Sequence, residues 1–74
     1  MPRLPRLRGR DPVATLKRAG FVVLRIKGSH HFLQNADGRR TVVPVHTGET
    51  IGPGLLSKIL KDAEMEVEDL EQWL

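Results

Sequence analysis

Apolar residues in this chain follow a helical rhythm at both ends and a strand rhythm between them. Val13, Leu16 and then Ala19 or Gly20 recur three to four positions apart, the spacing of one helix face. Asp11 followed by Pro12 has the form of an N-cap with proline at the first helical position, and Gly20 is a stop signal. Gly9 is an alternative start. Residues 21–27 then read as a strand: β-branched and apolar, with Arg25 and Lys27 on one face and Val22, Leu24 and Ile26 covering the other. Gly28-Ser29 predicts a turn and residues 30–34 a second strand. Residues 35–38 form a hairpin loop ending in Asp37-Gly38. Residues 40–45 make a third strand, in which Pro44 requires an edge position or a strand end. A loop at 47–50 precedes a second helix that opens at Pro53 and Gly54. Its Leu56, Ile59, Leu60 and Ala63 form an apolar stripe, and Val67, Leu70 and Trp73 or Leu74 predict a short terminal helix.

The order is therefore α-β-β-β-α with an added C-terminal piece. The economical packing is an α+β domain, one face of a three-stranded antiparallel sheet covered by two helices. Residues 1–9 carry two prolines and three arginines and read as a loose basic arm, leaving residues 10–74 as one domain. So short a chain buries only about 60% of its unfolded surface, which makes a stabilising partner a reasonable expectation. The absence of cysteine removes disulfides as a staple and fits a reducing compartment. The longest apolar run, Phe21-Val22-Val23-Leu24, is far below the roughly 20 residues a membrane span needs. No secretion-signal pattern follows the basic N-terminus. The expectation is a soluble, cytoplasmic protein that engages no membrane.

Charge changes the picture more than size does. All 12 Lys and Arg lie in residues 1–61, against three acids, Asp11, Asp37 and Glu49. The remaining residues hold six acids and no base. A body this basic is the electrostatic footprint of a nucleic-acid binder, although ordinary solvated surface has the same composition. Arg25, Lys27, Arg39 and Arg40 can form a phosphate-binding strip across the exposed sheet face, with Lys17, Arg18 and Lys58 adding to it from the helices.

Three histidines supply the candidate chemistry. Imidazole, with an ordinary pKa of about 6.5, offers both a proton acceptor and a donor near neutrality. RNA cleavage by the 2′-hydroxyl needs one group of each kind, together with cations to hold the phosphate. His30 follows Lys27-Gly28-Ser29, a turn whose backbone N–H groups and lysine can receive a phosphate. The plainer reading is a histidine that only hydrogen-bonds on a sheet surface. His46 is either the proton-transfer partner or an anchor for the loop after it. Zinc held by His30, His31 and His46 fits poorly, because neighbours on a strand point to opposite faces. Strict alternation also places His30 with Phe32, and Phe21 and Phe32 are expected in the core. If that removes His30 from solvent, His31 becomes the candidate.

Gly20-Phe21, Lys27-Gly28-Ser29-His30-His31, Thr41-Val42-Val43-Pro44-Val45-His46, Gly54-Leu55-Leu56 and Lys58-Ile59-Leu60 together resemble the HicA toxins over roughly residues 9–70. The resemblance implies a fold like the double-stranded RNA-binding domain and an mRNA interferase that needs no metal or cofactor. It places the catalytic histidine at His30, within Gly28-Ser29-His30; the reading of the residues themselves adds His46, His31 and Ser29 as possible acid–base or supporting groups. The resemblance further implies mRNA as substrate and a cognate HicB antitoxin that covers the active surface. The toxin would be a monomer when free and part of a hetero-oligomer with that antitoxin. The runner-up is a catalytically silent RNA-binding module of the same fold.

Overall fold

The computed structural model describes residues 7–72. Its order is β1 (Leu7–Arg8), α1 (Arg10–Arg18), β2 (Phe21–Lys27), β3 (His30–Asn35), β4 (Arg40–Pro44), β5 (Thr50–Ile51), α2 (Pro53–Asp62) and α3 (Val67–Gln72). Strands β2, β3 and β4 form an antiparallel sheet in that order, and α1 and α2 pack on it. This is the expected α-β-β-β-α architecture with its short C-terminal helix.

The core lies between helices and sheet. Leu16, Phe21, Leu33, Val43, Leu56, Ile59 and Leu70 are almost fully buried. The predicted stripe on α2 holds throughout, since Leu56, Ile59, Leu60 and Ala63 all face inward. Helix α1 starts from Gly9, the alternative start, rather than from Asp11. The Asp11 carboxylate still serves the helix end by accepting the Arg8 backbone N–H at 3.2 Å. Gly9 is required by space: a Cβ there would collide with the Pro44 carbonyl oxygen and lie 2.8 Å from Val45 Cα.

Three expectations change. The segment read as a loose arm over 1–9 ends in a strand, because Leu7 pairs with Ile51 and Arg8 with Thr50. The expected loop at 47–50 gives up Thr50 to that same ladder. Residues 1–6, Trp73 and Leu74, named in the arm and the terminal helix, lie outside the described residues.

The third change concerns the faces of β2, a strand that also carries one extra residue. Val23 pairs with Leu33 but Arg25 with Phe32, so the register slips at Leu24. A bulge of this kind re-aims the side chains beyond it. The inward residues are Phe21 and Val23, not Val22, Leu24 and Ile26, which are 57%, 60% and 58% exposed. Phe32 is likewise not a core residue. It shares the open face with His30, while Phe21 is the buried one of the two phenylalanines. Pro44 behaves as expected, ending the edge strand β4.

Candidate functional site

The hairpin from β2 to β3 turns on two residues, Gly28 and Ser29. Gly28 adopts φ +60°, which an L-residue rarely tolerates, as the first central position of such a tight turn requires. The turn sets Lys27 directly opposite His30. On one face of an antiparallel pair such neighbours have Cβ atoms about 5 Å apart. Both side chains are exposed. Without the slip at Leu24, Ile26 would oppose His30 and Lys27 would fall within the turn. The bulge therefore supplies the cation beside this imidazole.

On its other side His30 is paired with Pro44. Two residues further, His46 returns to the turn, where its Nε2 lies 3.0 Å from Ser29 Oγ. The hydroxyl can donate to a neutral Nε2 or accept from a protonated one, so it holds the ring in either state. The Ser29 carbonyl accepts the Val45 N–H at 2.7 Å, which fixes the end of β4 against the turn. The turn thus gathers Lys27, Ser29, His30 and His46. His46 also borders a recess of about 140 Å³ walled by Arg8, Gly9, Arg10 and Thr47.

His31 points the other way. It is half-buried on the helix side, its Nδ1 is 3.4 Å from the Ser29 carbonyl, and it lines a cleft with Arg10, Val13 and Lys17. The three histidines therefore do not converge, and no group of three or more His, Cys, Asp or Glu suited to a metal occurs among the described residues.

The expected cationic strip divides. Arg25 stands over Phe32, its guanidinium carbon 4.6 Å from the ring centroid. Arg40 is exposed and pairs with Gln34 on the same open face. Arg39 belongs to the scaffold. It binds the Asp37 carboxylate at 2.8 Å, donates to the Ala63 carbonyl at the end of α2 at 2.6 Å, and lies 5.1 Å from the Phe21 ring centroid. Lys58 sits on α2, 3.4 Å from Asp62. Reading Phe32 as core missed its place on the open face beside Arg25; the parity of His30 and Phe32 along β3 was the signal that both occupy one face.

Fold and turn together define a small α+β domain that presents a histidine and a lysine at one end of the open face of its sheet. Residues 9–65 match the family model of the HicA toxin of bacterial toxin–antitoxin systems, and the chain belongs to that family. Members are toxins paired with a cognate antitoxin and generally act as mRNA interferases. The matched span contains Lys27, Ser29, His30, His31 and His46. No curated protein matches the chain. No helix among the described residues is long and apolar enough to cross a membrane.

Proposed function

We propose that this toxin is an endoribonuclease that cleaves mRNA by metal-independent acid–base catalysis, with His30 as the principal catalytic group. The observation that carries this reading is the exposed His30 imidazole opposite Lys27, on the turn that also holds His46 through Ser29. A phosphodiester docked at this turn meets the Lys27 ammonium and the backbone of Gly28 and Ser29. One imidazole takes the 2′-hydroxyl proton as that oxygen attacks the adjacent phosphorus. The bond from phosphorus to the 5′ oxygen breaks, and the second imidazole protonates the departing oxygen. The products are a 2′,3′-cyclic phosphate and a 5′-hydroxyl. Lys27, with Arg25 and Arg40 further along the face, offsets the charge that builds on the phosphoryl oxygens.

Cleavage of a defined RNA in the presence of a chelator tests the chemistry. The native protein is expected to cut and His30→Ala to lose about 10²–10⁴-fold in rate while keeping its fold. Normal cleavage by that variant would remove His30 from the mechanism. In cells the native chain is expected to arrest growth unless its antitoxin is present. A protein that binds RNA but neither cuts it nor arrests growth would be the silent binding module.

A further inference from the structure

The open face of the sheet carries more than a histidine. Beyond His30 it presents a concavity of about 410 Å³ whose lining includes Leu24, Arg25, Phe32, Arg40 and Val42. Its floor is apolar and exposed, with Leu24 60% and Val42 39% accessible. Its flanks carry two guanidinium groups. Asp62, the one carboxylate on its border among the described residues, is bonded to Lys58 and Thr41. The bulge creates this arrangement too: in unbroken register Leu24 would oppose Phe32, and Arg25 would oppose His31 on the helix side. One extra residue brings the guanidinium over the phenyl ring instead.

An apolar surface with a stacked phenyl–guanidinium pair and cationic flanks suits a flat, apolar-faced group joined to an anionic chain. Protein interfaces are enriched in Arg and Phe as well, but two guanidinium groups beside a carboxylate already bonded to Lys58 and Thr41 favour an anionic chain. Phe32 stands two residues from His30 on the same strand face, about 7 Å away. We propose that Arg25 and Phe32 form a stacking platform for the nucleobase next to the phosphate held at His30. Substrates are thereby restricted to RNA that is unpaired at that nucleotide. A base inside a duplex already stacks on its neighbours and has no free face to offer. The inference rests on the endoribonuclease reading for its register with His30, and it sets the preference of this site against the duplex binding that the fold alone would suggest.

Binding measured in the full chain carrying His30→Ala keeps the RNA intact and separates this inference from the cleavage chemistry. Three probes are compared at one salt concentration: a single-stranded oligonucleotide, the same strand annealed to its complement, and the same ribose-phosphate chain lacking bases. The single strand is expected to bind about 5- to 100-fold more tightly than the abasic chain. Adding Phe32→Leu should abolish that preference and leave abasic affinity unchanged, whereas Phe32→Trp should keep it. Arg25→Gln, at an exposed position, should reduce the preference without altering the thermal melt. Equal affinity for base-bearing and abasic chains, or a preference that survives Phe32→Leu, would overturn the platform and leave this face to a protein partner. Failure of the native protein to cleave any RNA would sink the enzymatic reading instead.

Discussion

Ser29 Oγ and His46 Nε2 lie 3.0 Å apart although 17 positions separate them in the chain. The contact joins the tip of the β2–β3 hairpin to the residue that leaves β4, so a side chain read as a turn former is also the clamp on a second imidazole. Because the hydroxyl can serve either protonation state of the ring, it positions His46 without deciding its role. Ser29→Ala is therefore expected to cost about one hydrogen bond, roughly 1 kcal/mol or about fivefold in kcat, with little change in KM. His46→Ala should cost at least ten times more if that ring transfers a proton. Equal losses in the two variants would reduce His46 to a loop anchor.

The two adjacent histidines separate by face. His30 is exposed opposite Lys27, whereas His31 is half-buried on the helix side. His31→Ala should retain RNA cleavage to within a few-fold while losing about 0.5–2 kcal/mol of stability in denaturant titration. His30→Ala should do the reverse. Exchanged phenotypes would transfer the chemistry to His31.

Gly9 ties the start of α1 to the end of β4, where the Pro44 carbonyl and Val45 Cα leave no room for a methyl group. Gly9→Ala forces the helix end away from the strand that carries His46. It is expected to destabilise the domain by about 1–3 kcal/mol, read as a lower urea midpoint at unchanged slope. Gly54→Ala, where an added Cβ meets nothing within 4 Å, is the control and should be near neutral.

Helix periodicity was legible because each stripe has a single consistent readout: Leu56, Ile59, Leu60 and Ala63 could bury only together. Strand parity in β2 was misread from its start, since Phe21 and Val23 rather than Val22 and Leu24 face inward, and the register then slips at Leu24. A bulge inserts one residue without a compositional mark; the sequence around Leu24 looks like any apolar strand. Val22 and Leu24 looked internal because an apolar strand carries no local sign of which parity meets the core, and Phe21 and Val23 take that face; beyond Leu24 the bulge then turns Arg25 and Lys27 onto the open face. The motif around Gly28-Ser29-His30 was readable because a tight turn demands a particular residue at a particular place. The Ser29–His46 contact was not, since nothing local links a serine in one turn to a histidine after a distant strand. The role of Arg39 was equally hidden. Its three partners, Asp37, Ala63 and Phe21, meet only once the helix and the hairpin are packed.

Arg39 and Arg40 are neighbours in sequence in opposite environments, and salt dependence is expected to distinguish them. Arg39 is held by a carboxylate and a helix-end carbonyl, so Arg39→Ala should cost about 1.5–3 kcal/mol of stability. Arg39→Lys should not restore it, because an ammonium cannot reproduce the planar fork. Its loss should leave the salt dependence of RNA binding unchanged in the fraction that remains folded. Arg40 points into the open face, and Arg40→Gln should leave the melt within about 0.5 kcal/mol of the parent. If it contacts phosphate, its removal should flatten the slope of log affinity against log salt by about 0.7, the value for one released counterion on a single strand. Arg25→Gln should act in the same direction and also weaken stacking, so its effect persists at high salt where that of Arg40→Gln fades. A slope that responds to Arg39 and not to Arg40 would move the RNA path off the open face and onto the side of the molecule where α2 ends.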